Sequence, residues 1–306
     1  MTEMLRAPKR MVPVEIDGQE VEVFEGQTLL DACRKAGVDT PTLCYGETLD
    51  PHNVCRVCVV EVEGARVLAP SCSRKAEAGM KVKTDSERVR LSRKVVLELL
   101  DSSVDLSTTP VAPGYLERYD ADGGRFGPRS APDPERGSRR PGAHDVSDGQ
   151  SAATVAQPTK LDNELYVRDY SKCILCYKCV DACGEQYQNT FAIGIAGRGF
   201  DARVSTEFVV ELPESACVYC GNCIAVCPTG ALMFRSEHEL RAEGEWRDDD
   251  QTVTRTVCPY CGVGCNLELH VQDNQIVKVT SPDDHDVTRG NLCIKGRFGF
   301  QHVQSR

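Results

Sequence analysis

The chain has 306 residues, enough for two or three domains with modest cores, and 6% aromatic content with a mean hydropathy of −0.34 argues against one large core. A formal charge of −10 and a pI near 5.2 argue against nucleic acid or an anionic membrane as partner. No apolar run approaches the ~18 residues of a membrane span, and residues 1–12 show neither an apolar leader nor a twin-arginine pair, so the chain reads as cytoplasmic.

The outlier is cysteine, with 17 residues: five between positions 33 and 72, twelve between 173 and 293, and none in between. In a reducing compartment such grouped thiols hold metal more often than they pair as disulfides.

In chain order, residues 12–16 and 21–24 alternate around Asp17-Gly18 and predict a β-hairpin. A helix is expected from Thr28, with Asp31 three residues on and Gly37 able to close it; Leu29, Leu30, Cys33 and Ala36 share one face. Short strands are expected at 57–62, 66–69 and 80–83. A long helix then runs over about 85–100, capped by Thr84 with Glu87 three residues later. Hairpins packed around a helix define an α+β, β-grasp-like domain over 11–104.

Pro, Gly, Ser, Asp and Arg dominate 105–161, which reads as a poorly ordered or surface-wrapped linker in which Arg139 and Arg140 are solvated. A compact cysteine-rich module with an internal repeat follows, and with an exposed, partly helical acidic connector it fills 162–249. The last piece, 250–306, is small and β-rich, with a hairpin of 267–271 and 276–279 around Asp273-Asn274.

Cys44, Cys55, Cys58 and Cys72 form the first ligand set. A [2Fe–2S] rhombus needs four thiolates, and the tight Cys55-Arg-Val-Cys58 turn supplies half of them. A structural zinc site is the competing reading. Cys33 is a fifth thiol, read as a small core hydrophobe.

Cys173, Cys176, Cys179 and Cys183, then Cys217, Cys220, Cys223 and Cys227 with Pro228, repeat the two-cluster bacterial ferredoxin spacing. In that spacing each fourth cysteine serves the other [4Fe–4S] cube. One cube is therefore expected on Cys173, Cys176, Cys179 and Cys227, the other on Cys217, Cys220, Cys223 and Cys183. Gly184 stands where the common run has proline.

Cys258, Cys261, Cys265 and Cys293 are the fourth set, for a third [4Fe–4S] cube, with a zinc ribbon as alternative. Gly262 and Gly264 let backbone amides approach cluster sulfides. The six histidines are scattered, His52 reads as a loop residue, and Gly197-Arg198-Gly199 lacks the third glycine of a dinucleotide loop. The visible chemistry is one-electron transfer.

Together these motifs resemble the N-terminal part of the catalytic α-subunit of NAD-dependent, molybdenum- or tungsten-containing formate dehydrogenases, over nearly everything but the linker. The 44/55/58/72 spacing is also similar to the [2Fe–2S] domain of [FeFe] hydrogenases and of the large iron–sulfur subunit of respiratory complex I. The Cys258-Pro-Tyr-Cys261-Gly-Val-Gly-Cys265 and Leu292-Cys293-Ile-Lys295-Gly-Arg297-Phe-Gly299 segments look like the cluster domain that opens the molybdopterin oxidoreductases.

The resemblance implies that Lys295 lies between the fourth cluster and a pterin. It implies a cytoplasmic electron-transfer subunit between a molybdopterin catalytic partner and a flavin- and NAD-binding partner, with FMN and molybdopterin held by those partners. Relatives carry a further cube on one histidine and three cysteines after the long helix. Residues 96–107 here contain neither residue type, so that cube is expected to be missing. The chain stops at Arg306, where molybdopterin-binding domains would begin, and no residue stands for the molybdenum ligand. Its ordinary start and untagged end fit a natural split subunit, a fragment being the alternative. Two other functions stay open: a relay for an NAD-reducing hydrogenase or other molybdopterin oxidoreductase, and a zinc-stabilised scaffold or maturation protein.

Overall fold

The computed structural model describes residues 10–127, 158–198 and 202–304, with the backbone of a short ladder between β6 (His144–Asp145) and β7 (Thr154–Val155). Arg139, Arg140 and most of 128–157, read above as linker, lie outside the described residues. The chain divides into two compact units: residues 1–45, 51–100 and 111–125, and the remainder.

In the first unit β1 (Met11–Ile16) and β2 (Gln19–Phe24) form the expected hairpin, Val12 facing Val23 and Val14 facing Val21. Both turn residues, Asp17 and Gly18, have positive φ (49° and 86°), the type I′ geometry whose twist suits paired strands. With β3 (Val59–Val62), β4 (Ala69–Pro70) and β5 (Lys81–Lys83) the sheet order is β2-β1-β5-β3-β4, β1 and β5 being parallel. α1 (Leu29–Lys35) packs on it, burying Leu29, Ala32 and Cys33 against Val14, Ile16, Val23, Val60 and Val82. Its first turn is the expected capping box: Thr28 Oγ1 accepts from the Asp31 amide, and the Asp31 carboxylate accepts from the Thr28 amide at 2.7 Å. Cys33 is fully buried in that core, and burial raises its thiol pKa.

α2 spans Glu87–Ser103, and its cap corrects the sequence reading. Thr84 is committed elsewhere: its amide donates to Asp17 Oδ1 (2.8 Å) and its hydroxyl to the same carboxylate, pinning β5 to the hairpin turn. Ser86 caps instead, its Oγ accepting from the Val89 amide at 3.3 Å. Within the stretch whose composition suggests a linker, α3 (Ala112–Arg118) is helical. Arg93 on α2, 1% exposed, donates to Tyr119 Oη (2.7 Å) and Val59 O (2.8 Å), joining α3's end to the sheet.

In the second unit β8 (Tyr166–Arg168) pairs with β11 (Leu232–Phe234), and β9 (Gly194–Ala196) with β10 (Arg203–Ser205). Two short helices, Lys178–Cys183 and Asn222–Ala225, each start inside a cysteine run. The connector is helical over Arg235–Glu243, but Glu237 is not simply solvated: it pairs with Arg241 (2.8 Å) and Lys278 (3.1 Å). The last module is a three-stranded meander of β12 (Thr252–Val257), β13 (Asn266–Gln272) and β14 (Gln275–Thr280). The expected β13–β14 hairpin is present, Asp273 and Asn274 both taking positive φ. The helix Ile294–Phe298 follows. Among the described residues no helix is long and apolar enough to cross a membrane.

Candidate iron–sulfur centres

The first quartet sits where α1 meets the loops before β3 and after β4. Cys44, Cys55, Cys58 and Cys72 are all buried, and Leu30 covers Cys58 and Cys72. The charges of Cys58, Cys44 and Cys55 all act on Cys72, so the four thiols share one neighbourhood. Hydrogen bonds from Cys55 to Cys44 and from Cys72 to Cys58 lower Cys44 and Cys58 to about 6 and raise their donors. Asn53 and Arg56 take left-handed backbone (φ 61° and 57°), which curls the loop so that the Cys55 amide reaches Cys44 Sγ at 3.5 Å.

The next two quartets are built alike. In the first run Leu175 and Tyr177 have positive φ (51° and 69°); in the second the matching positions, Tyr219 and Gly221, do too (56° and 70°). Each run thereby wraps its own thiols. The Leu175 amide donates to Cys173 Sγ and the Tyr219 amide to Cys217 Sγ, both at 3.4 Å. Amide donation to sulfur is one lever on a cluster's potential.

The fourth cysteine of each run faces the other run. Cys227 acts electrostatically on Cys173, Cys176 and Cys179, and Cys183 on Cys220 and Cys223. Burial, followed by mutual repulsion, pushes Cys173 and Cys176 up to about 12 and raises Cys179 and Cys223 well above the ordinary thiol value. Such thiols hold their protons until a cation compensates them, which is what a metal cluster supplies. At Gly184 a Cβ would stand 3.1 Å from Val180 O and 3.2 Å from the Phe191 ring, so the place proline takes in the common run is filled here by a close backbone approach.

The fourth quartet is the most open. Cys258 is buried and Cys265 half-buried, while Cys261 and Cys293 are exposed. Cys258, Cys261 and Cys293 all act on Cys265, which burial raises. The Cys258 amide donates to Cys265 O (2.8 Å), closing the loop, and Gly264 supplies a φ of 76°. Lys295, Ile294 and Cys293 lie together on the exposed side of the last module. A cleft of about 780 Å³ runs past Cys261, Cys265 and Cys293. Another, of about 670 Å³, lies among Glu15, Glu61 and Lys81 of the first unit and touches no cysteine. No three His, Cys, Asp or Glu side chains among the described residues stand close enough to share a single metal ion.

Sequence reasoning passed over the residues that support these loops. Tyr166 Oη lies 3.2 Å from Cys217 Sγ, and its ring stacks on Phe298 at 6.1 Å. Lys172 is bonded to Asp105. Arg297 is fully buried. A buried arginine or lysine has no period or spacing to betray it, although Arg297 stands within the Leu292–Gly299 segment already singled out.

The fold and the four thiol sets define an α+β iron–sulfur protein assembled from ferredoxin-type domains. Residues 9–87 match the 2Fe-2S iron-sulfur cluster binding domain, 172–231 the 4Fe-4S dicluster domain, and 251–305 the molybdopterin oxidoreductase Fe4S4 domain. An NADH-quinone oxidoreductase subunit of Rhizobium meliloti is 34% identical over 301 residues, covering 97% of this chain and 32% of that protein. NADP-reducing hydrogenase subunit HndD of Solidesulfovibrio fructosivorans is 39% identical over 300 residues, covering 96% of this chain and 46% of its own length. A formate dehydrogenase-like protein of Staphylococcus haemolyticus is 28% identical over 326 residues, 95% of this chain and 31% of the relative. The chain thus spans from about a third to under half the length of these relatives. An NAD+-reducing [NiFe]-hydrogenase chain shares the fold, with a TM-score of 0.59 at 23% identity over 73% of this chain and 87% of that one. Three iron–sulfur domain families thus match successive parts of the chain, and NADH-quinone oxidoreductase, hydrogenase and formate dehydrogenase-like proteins are similar to it over most of its length.

Proposed function

We propose that this chain is the electron-transfer part of a cytoplasmic NAD(P)H-linked oxidoreductase complex. The carrying observation is the exchange of fourth cysteines between two matched runs, flanked by one further quartet on each side in sequence. Cys44, Cys55, Cys58 and Cys72 would hold a [2Fe–2S] cluster. Cys173, Cys176, Cys179 and Cys227, then Cys217, Cys220, Cys223 and Cys183, then Cys258, Cys261, Cys265 and Cys293, would each hold a [4Fe–4S] cluster. Bound clusters supply one-electron storage. The protein's part is to bury the thiolates, set amide donors against them, and leave one edge open at Cys261 and Cys293.

The finer proposal is formate: a molybdopterin catalytic partner docks at the open Cys258 quartet, with Lys295 between cluster and pterin, and a flavin- and NAD-binding partner takes electrons from the Cys44 end. The molybdopterin-oxidoreductase match over 251–305 favours it. A hydrogenase complex is the second reading, favoured by the 39% identity to a hydrogenase subunit. Anaerobic co-purification followed by metal analysis separates them: molybdenum or tungsten with formate-linked NAD reduction supports the first, nickel or a purely iron-based hydrogenase the second. Undiminished formate-linked NAD reduction in a complex lacking this chain would remove the formate reading.

A further inference from the structure

Arg297 is 0% exposed. Its Nε donates to Cys220 O at 3.0 Å, and its Nη2 to Asn222 Oδ1 (3.1 Å) and Gly290 O (3.3 Å). Among the described residues its Nη1 is buried with no partner and no carboxylate pairs with it. The groups whose charges act on it are Cys220 and Cys223 of one quartet and Cys293 of another. A guanidinium keeps its positive charge in a protein at neutral pH.

The site is shaped to take this side chain. A Cβ on Gly221 would come within 2.3 Å of Arg297 Cδ, so glycine there clears the path of the stem. Asn222 Oδ1 also accepts from the Leu292 amide (3.1 Å), so the turn after Cys220 and the segment before Cys293 are held by one amide side chain and one guanidinium. A buried cation with an orphaned N–H and no counter-carboxylate carries a large desolvation cost. A cube held by four thiolates is a net anion with sulfide acceptors, and would offset that cost.

We propose that Arg297 is a positioning residue shared by the Cys217 and Cys258 centres, whose fixed positive charge and free Nη1–H raise the reduction potential of both, the Cys217 centre more. The inference rests on reading both quartets as cubes. A charge that favours the reduced form of one neighbour over the other biases which centre holds the electron, with no proton moved.

The test is an anaerobic redox titration of the full chain followed by EPR, for Arg297→Gln and Arg297→Lys. Iron content near the parent's separates failure of the cluster reading from failure of this one. The expectation for Arg297→Gln is a lower Cys217-centre potential by at least a tenfold change in its reduction equilibrium, about 59 mV for one electron. The Cys258 centre should fall less and the [2Fe–2S] centre not at all. Arg297→Lys should keep most of the parent value. Parent potentials throughout Arg297→Gln, or an equal fall in every centre, would overturn the proposal. If Arg297→Gln loses iron, the parent chain labelled with 15N-arginine decides. A nitrogen coupling on the reduced Cys217 signal that vanishes in Arg297→Lys supports it, and no coupling overturns it.

Discussion

Left-handed backbone costs an ordinary residue roughly 1–2 kcal/mol, yet Leu175, Tyr177 and Tyr219 all adopt it beside cysteines. The strain is borne because each reversal turns the next thiol inward. Gly221 occupies the fourth of these places and also leaves room for Arg297. Gly221→Ala is therefore expected to lower stability by about 1–3 kcal/mol, read as a shifted urea midpoint, with loss of iron from the Cys217 centre before the [2Fe–2S] centre. Asp105 gives a pH signature. Burial works to raise its pKa, but the bonds from Lys172 and Ser107 outweigh this and hold it at about 2 against the ordinary 3.8. A depressed folded pKa stabilises above about pH 4, and the contribution is lost as pH falls toward 2. Asp105→Asn should lower the thermal midpoint at pH 7, and the gap from the parent should narrow below pH 4; a gap independent of pH would contradict the assignment. The cysteines were legible in the sequence because ligand spacing is local. Arg297, Asn222 and Lys172 were not, because most of their partners lie 65 to 77 residues away.

At the level of elements, hairpins announce themselves when the turn does. Asp17-Gly18 and Asp273-Asn274 sit between alternating strands, and both turns have the expected geometry. β12 escaped notice because Thr252–Val257 is exposed along its whole length, so no buried period marks it. α3 was hidden by the proline- and glycine-rich composition around it, although Leu106, Ala112 and Tyr119 are buried. The cap of α2 was misplaced by two residues because the Asp17 carboxylate, 67 residues away, claims Thr84. Ser86→Ala should cost about 1 kcal/mol through the lost cap, measured by denaturant unfolding. Arg93→Met should cost about 1–3 kcal/mol by leaving Tyr119 Oη and Val59 O without their buried donor. It should loosen α3 in hydrogen exchange before it affects the cysteines of the second unit.

For the whole molecule, the grouping of the thiols stands on this chain's own residues, whereas formate enters through resemblance. Toward the end of α2, Glu98, 1% exposed, pairs with Arg125 (2.5 Å) and Lys94 (3.9 Å), and Ser102 is buried. The identities of 34% and 39% to an NADH-quinone oxidoreductase subunit and a hydrogenase subunit show that the iron–sulfur domains are shared across oxidoreductases whose names point to different substrates. The central claim is therefore the set of four centres, and it is tested by iron, zinc and acid-labile sulfide per chain on anaerobically purified protein. One rhombus and three cubes predict about 14 iron and about 14 sulfide, with zinc near zero. Stoichiometric zinc with little iron or sulfide would contradict the account and leave a zinc-stabilised scaffold.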